Sequence, residues 1–571
     1  MTSWTTARPR TRLVVGTVVG TVVGVTLGAA LAAPATGQPV PRQPPPGPAA
    51  QAADRAAEQN AAATRWGDDT TGEGAGAIDA AGLYRAQSDL GSMYTVNSQI
   101  GAHELWLTAD PRRPGRTLTG VGVGVAVIDT GVAPVPGLDA RGKVVNGPDL
   151  SFESQATNTR WLDGYGHGTH MAGIVAGRTG APVVGGSVDP EVFAGVAPDA
   201  TVINVKVGAG DGGVDVSQVV AAVDWVVEHR EDLGIRVLNL SYGTTSTQSS
   251  RLDPLAHAVE NAWRAGIVVV TAAGNGGEAG ATTLTMPAVD PYVLAVGSSD
   301  YQGARGASGH VVGAWTNDGT SARRPDLVAP GKSLVSLRVP GGFADVAHPE
   351  GRVPGVGASQ LFRGTGTSQS AAVVSGAVAL LLQRFPELTP DQVKWVLTQT
   401  ADRLSNRESA TDATQGAGLL DVDGAVDYVA ARGAPRHPSV RQTWPQSTGL
   451  GSLEASRGGT HTADPDTGEV LLGEQDIFGV PWDARSWAAA SSRGTAWSGG
   501  YWRGVRWTGS AWTIDDWQRR SWSATDWTRR SWSGVDWSRR SWSASDFSRR
   551  SWSAGDWQRR SWSADSWGHP G

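Results

Sequence analysis

The chain predicts an α/β fold, a parallel β-sheet flanked by helices on both faces. Three observations lead there. Short β-branched runs recur between about Met93 and Gly433, they are apolar throughout rather than alternating, and segments with helical character lie between them. A strand apolar on both sides is buried on both sides, which is the habit of parallel sheets. Parallel neighbours in turn need a long crossover, which a helix supplies.

Taken in chain order, the first buried strand is expected over Val121–Ile128, with Asp129 at its carboxyl end. Further strands are expected over Ala200–Val207, Val237–Ser241, Gly266–Ala273 and Tyr292–Val296, and helices over Ser217–His229 and Asp253–Ala265. The run from His167 to Gly177 is almost wholly small or apolar, as a buried helix would be, its glycines allowing close packing at some cost in propensity. Ser370–Phe385 is hydrophobic nearly all round and is stopped by Pro386.

Ligands of such sheets bind beyond the carboxyl ends of the strands. Asp129, at the end of the first strand, stands where an active-site residue should be, and it belongs to one of three glycine-rich blocks: Val125-Ala-Val-Ile-Asp129-Thr-Gly131, Gly166-His167-Gly-Thr-His170-Met-Ala-Gly173 and Gly364-Thr-Gly-Thr-Ser368-Gln369. Each alone has a plain reading. An Asp after a strand is commonly a turn residue, and a Gly-Thr-Ser before a helix is commonly a cap. His-Gly-Thr-His as a partial metal site lacks the Glu of the zinc-protease helix and spaces its histidines by three rather than four. Together, in the order Asp, His, Ser, they supply what a nucleophilic serine requires: a base to take its proton and a carboxylate to orient that base. Ser368 also precedes a buried helix, whose amino end favours developing negative charge.

From Ile100-Gly-Ala-His-Glu-Leu-Trp106 to about Val429 the sequence resembles the subtilisin-like (subtilase) serine proteases throughout. The resemblance implies a subtilisin-like fold and a catalytic triad of Asp129 as orienting carboxylate, His167 as general base and acid, and Ser368 as nucleophile. In Thr271-Ala-Ala-Gly-Asn275-Gly276 it implies that Asn275, with the Ser368 N–H, forms the oxyanion hole. It further implies that substrate pairs with Ser241, Tyr242 and Gly243, and that Ala272, Ala273 and Gly274 wall the primary pocket. Such small wall residues would leave the pocket open to large apolar side chains. Two positions depart from the family: Gln369 stands where Met is usual, and Ala372 where Pro is usual. No cofactor is required for this chemistry. Structural calcium is common in the family, but no acidic loop here is dense enough to assign a site, and Asp163 reads simply as a loop residue ahead of His167.

The flanks are read from composition. With 571 residues the chain can bury a large core, and with no cysteine it has neither disulfides nor a thiol nucleophile. Residues 1–33 carry Arg8, Arg10 and Arg12 before an apolar run ending in Ala30-Leu-Ala32, the pattern of an export signal; an uncleaved membrane anchor is the alternative. Residues 34–92 read as a Pro/Ala/Gly-rich spacer or, within 76–92, a reduced pro-region. Residues 93–433 form the catalytic domain, and 434–481 a linker with a β-hairpin over Ser452–Gln475, turning at Asp464–Gly468.

Residues 482–571 are a repeat with a register position every five residues, tryptophan throughout except at Ser492 and Phe547. A five-residue step scatters side chains around a helix, so a low-complexity ribbon or a β-repeat is expected. Its fourteen arginines against eight aspartates suit an anionic cell-wall polymer or glycan better than nucleic acid. The implied function is a secreted or cell-surface serine endopeptidase acting on polypeptides. The alternative is a surface adhesion or cell-wall-binding protein whose protease domain serves only maturation.

Overall fold

The computed structural model describes residues 64–66, 77–154, 159–304, 309–355, 360–404, 411–459, 461–463, 470–498 and 500–506. The expected export signal, most of the spacer, the 464–468 turn and the repeat from 507 onward lie outside the described residues.

The strands are β1 (Arg65–Trp66), β2 (Gly124–Asp129), β3 (Val144–Asp149), β4 (Val183–Val184), β5 (Ser187–Val188), β6 (Thr201–Lys206), β7 (Ile235–Leu240), β8 (Val268–Ala272), β9 (Leu294–Asp300), β10 (Val311–Val312), β11 (Leu327–Pro330), β12 (Leu334–Leu337), β13 (Leu361–Thr365), β14 (Trp497–Ser498), β15 (Tyr501–Trp502) and β16 (Val505–Arg506). The helices are α1 (Met93–Gln99), α2 (Ala102–Leu107), α3 (His167–Ala176), α4 (Val216–Glu228), α5 (Pro254–Arg264), α6 (Phe343–Ala347), α7 (Thr367–Arg384), α8 (Pro390–Thr400), α9 (Asp412–Gln415), α10 (Val422–Arg432), α11 (Leu453–Arg457) and α12 (Ala484–Ser492).

The main sheet has eight strands in the order β10-β9-β8-β7-β2-β6-β3, with β11 also on β9. Neighbours from β3 to β9, and β11 on β9, run parallel. Strand β10 is antiparallel, because the connection from β9 is too short for a crossover. The five strands expected from sequence are β2, β6, β7, β8 and β9, and their apolar residues are buried on both faces as that pattern requires. Helices α3 and α7 pack on each other and on the sheet, as do α4 and α5, so the sheet is the middle layer of three. Every residue of α7 except Arg384 is buried, which explains its all-round hydrophobicity.

The C-terminal flank corrects the sequence reading. The described residues between 434 and 506, expected as a linker and the start of a repeat ribbon, fold onto the catalytic domain. The hairpin expected over Ser452–Gln475 begins instead as helix α11, capped by the Ser452 side chain, while the antiparallel bridge Ala463–Val470 lies on either side of the expected turn. The first repeat positions enter helix α12, where the Asp483 side chain caps the amino end over the alanine-rich run that follows. Beyond it, β14–β16 form a small antiparallel sheet with Trp497 directly opposite Trp502. The physical reason lies in α4, Val-Ser-Gln-Val-Val-Ala-Ala-Val-Asp-Trp-Val-Val-Glu, which is apolar on the side facing away from the sheet as well. That outer face needs a cover, and Trp487, Trp497 and Trp502 provide it, at 1%, 3% and 0% exposure.

Candidate active site

Asp129 ends the central strand β2, and His167 is the first residue of α3. The two meet because strand and helix approach closely. A Cβ at position 168 would lie 2.2 Å from the Gly131 carbonyl oxygen and 3.2 Å from the Asp129 Cβ, so only glycine fits there. His167 Nδ1 lies 2.8 and 2.9 Å from the two Asp129 carboxylate oxygens. This contact fixes the tautomer: Nδ1 donates its proton to the carboxylate, leaving Nε2 as the acceptor. Burial disfavours the imidazolium, but the adjoining Asp129 carboxylate outweighs it, and the His167 pKa is raised above its ordinary value.

His170, one turn along the same helix, is fully buried with Nε2 3.1 Å from the Phe362 carbonyl. Burial pushes its pKa down to about 3, so it is a neutral core histidine. No group of His, Asp and Glu among the described residues is arranged to hold a metal ion.

Ser368 is the second residue of α7 and is 1% exposed. Asn275 stands in the loop after β8, 92 positions from Thr367, and its Oδ1 accepts from the Thr367 N–H at 2.8 Å and the Thr367 hydroxyl at 2.9 Å. Two donors on the carbonyl end dictate which end of the amide is oxygen. The Asn275 NH2 group is thereby held as a donor beside the start of α7. Ser241, just beyond β7, donates its hydroxyl to the Ser368 carbonyl at 3.1 Å and receives the Asn239 amide at 3.0 Å. Tyr242 and Gly243 follow it, half-buried. Ala272 ends β8, and Ala273 and Gly274 continue toward Asn275, the Gly274 N–H donating to the Thr367 hydroxyl at 3.2 Å. The structure thus places His167 against Asp129 at the end of β2, and sets Ser368 and its neighbour Thr367 against Ser241 beyond β7 and Asn275 beyond β8.

Supporting residues with no role assigned from sequence complete the site. Asp163, read from sequence as a loop residue, is buried and accepts from the Gly166 N–H at 2.6 Å, the Thr169 N–H at 2.7 Å and the Thr130 hydroxyl at 2.9 Å. It satisfies the open amino end of α3 and ties it to the residue following Asp129. The loop carrying it is anchored by buried Lys206, which pairs with Glu153 and donates to the Leu162 carbonyl at 2.6 Å. Thr130 receives the Gly168 N–H at 2.9 Å, closing the strand–helix junction. Thr285 packs against the segment leading to Asn275, its N–H on the Ala273 carbonyl at 3.1 Å. Asp163 lies four residues before His167, close enough for its carboxylate to meet the open N–H groups of the first turn, and that spacing was the available clue.

The sequence profile of the subtilase family matches residues 120–418, the span that carries every one of these groups. The chain belongs to the subtilase family. It is 34% identical over 322 residues to serine protease AprX of Bacillus subtilis (strain 168), a match covering 55% of this chain and 68% of that one. It is 32% identical over 317 residues to subtilisin BL of Lederbergia lenta, covering 55% of this chain and 94% of the relative. Among solved structures it is similar to fervidolysin from Fervidobacterium pennivorans, a keratinolytic enzyme related to subtilisin, with 25% identity, a TM-score of 0.45, and coverage of 62% of this chain and 47% of that one. The subtilase domain is a serine-type endopeptidase, and the sheet-and-helix fold expected from the sequence is the one found. No helix among the described residues is long and apolar enough to cross a membrane.

Proposed function

We propose that this subtilase hydrolyses polypeptides through a triad of Asp129, His167 and Ser368, with Asn275 and the Ser368 N–H as oxyanion hole. The observation that carries it is the 2.8 Å contact between His167 Nδ1 and Asp129, which leaves Nε2 free of its proton to act as the base. In this reading His167 takes the Ser368 proton as the hydroxyl attacks the scissile carbonyl. The imidazolium, stabilised by Asp129, then protonates the leaving amine. Water activated by the same histidine hydrolyses the acyl-enzyme. The negative oxygen of each tetrahedral intermediate is met by the Asn275 amide, whose orientation Thr367 fixes in advance at no cost during the reaction. Substrate lies extended along Ser241–Gly243, with its primary side chain against Ala272–Gly274.

Secretion or cell-surface placement belongs to the same proposal and is supported by the charged, apolar and small-residue order of residues 1–33. Glycan binding by the Trp/Arg repeat is proposed only for the part beyond residue 506, because the earlier tryptophans are committed to the core.

The test is Ser368→Ala in the full chain. Wild type should hydrolyse casein and take up a fluorophosphonate label, and the variant should do neither while keeping its thermal midpoint. Label retained by the variant would mean that another residue is the nucleophile.

A further inference from the structure

The short strand β1 reaches the active site from a stretch whose sequence reads as spacer. It pairs antiparallel with β13, Arg65 opposite Thr365 and Trp66 opposite Gly364, just ahead of Ser368. Trp66 is 7% exposed. Its indole lies edge-on to His167 and His170, at centroid separations of 6.1 and 5.3 Å, and tilted against Phe362 at 5.3 Å. Ala344 and Tyr165 complete the apolar cluster around it.

The catalytic domain is fitted to this visitor at three positions. Gly364 leaves room both for Gln369 and for this segment: a Cβ there would lie 2.6 Å from Gln369 Nε2 and 3.0 Å from Thr64 Cγ2 and Trp66 Cζ3. Gln369, the departure from the family next to the nucleophile, places its Nε2 3.3 Å from the Thr64 hydroxyl. Glu278, three residues past Asn275, pairs with Arg65 at 2.8 Å. The ion pair is exposed and contributes little. The buried indole is the dominant contact, since its removal would bare Phe362 and the flank of His170.

We propose that Trp66 is a specificity-determining residue of the active protease, forming the wall of the subsite that receives the residue following the scissile bond. The inference rests on the triad reading above. In that mechanism His167 hands its proton to the leaving amine, so the group packed against the His167 ring and β13 borders the departing half of the substrate. The acyl half is held by Ser241–Gly243 and Ala272–Gly274. An indole seated over Gly364 narrows the leaving side and favours small residues there. The segment through residue 66 is accordingly a permanent part of the working enzyme rather than a discarded spacer.

The experiment uses the full chain, labelled with a fluorophosphonate and measured by intact mass. The wild type, Trp66→Ala and Trp66→Phe are then assayed on peptides that vary only the residue after the scissile bond from Ala to Leu to Phe. The labelled species should contain residue 66. Trp66→Ala should raise kcat/KM for the Phe and Leu peptides relative to Ala by about tenfold, the scale of a changed apolar pocket, with Trp66→Phe in between and preference before the scissile bond unchanged. A labelled species that starts after residue 66 overturns the inference, as does an unchanged ranking. If Trp66→Ala does not fold, the mass of the labelled wild type and the Trp66→Phe ranking decide the matter on the same terms. A wild type that takes no label sinks the triad reading first, a result distinct from either.

Discussion

Arg457 and Asp215 stand 242 positions apart and form an ion pair at 2.6 Å in which neither side chain has any exposed surface. Asp215 caps α4, accepting from the Ser217 N–H, so the pair fastens the C-terminal flank to the helix behind the sheet. Arg457 also donates to the carbonyls of Gly473 at 2.7 Å and Gln475 at 2.5 Å. Removing one partner of a buried pair strands the other charge. Arg457→Ala should therefore lower stability by about 3–5 kcal/mol, read as a shift in the denaturant midpoint. A shift below 1 kcal/mol would mean that the flank is only loosely attached.

The same flank makes truncation informative. The buried Asp224 carboxylate accepts from the Trp487 and Trp502 indoles, each at 2.9 Å, and from the Ser491 hydroxyl at 2.6 Å. Ending the chain before Trp482 should leave that carboxylate unpartnered and yield insoluble or protease-sensitive protein, whereas ending it after residue 506 should leave the thermal midpoint unchanged. Trp487→Phe loses the indole donor and leaves a small cavity, and should cost at least about 1–3 kcal/mol by denaturant unfolding.

The pH profile follows from the neighbours of His167. The base must be neutral to act, and its pKa is raised mainly by the charge of Asp129, against burial, with a further contribution from Asp163. Activity is thus present above the raised pKa and lost as pH falls through it, so the acid limb of kcat/KM should lie above 6.5, the ordinary value. Asp163→Asn should move that limb to lower pH, a shift that a purely structural loss of active protein would not produce.

At the oxyanion site, Asn275→Ala should lower kcat by roughly 100- to 1,000-fold with little change in KM, measured on a peptide ester and an amide. Asp129→Asn should lower kcat by on the order of 10,000-fold at neutral pH by stabilising the wrong tautomer of His167.

Oxidation gives an independent check on the residue after the nucleophile. Gln369 is fully buried and offers no sulfur, so hydrogen peroxide should leave turnover largely intact. Gln369→Met should make it peroxide-sensitive; a wild type inactivated as readily as that variant would locate the vulnerable group elsewhere.

By itself the sequence determined the chain order of β2 and β6 to β9 with the helices between them, and the blocks that carry the candidate site residues. Both are written in local patterns: apolar runs for β2 and β6 to β9, and short glycine-framed blocks around Asp129, His167 and Ser368. Other parts had no local pattern to show them. Strand β3, Val-Val-Asn-Gly-Pro-Asp, contains a Gly-Pro that reads as a turn, and only its place at the edge of the sheet makes that proline tolerable. Asp163 looked like any loop carboxylate until the fold set it beneath the amino end of α3. The pentad tryptophans spread around an isolated helix or ribbon, and it is the outer face of α4, far away in sequence, that gives Trp487, Trp497 and Trp502 a surface to bury against. Trp66 is likewise visible as part of the site only through its pairing with β13. Such contacts join distant residues by burial and hydrogen bonding that no short window of sequence contains, so only the tertiary structure decided them.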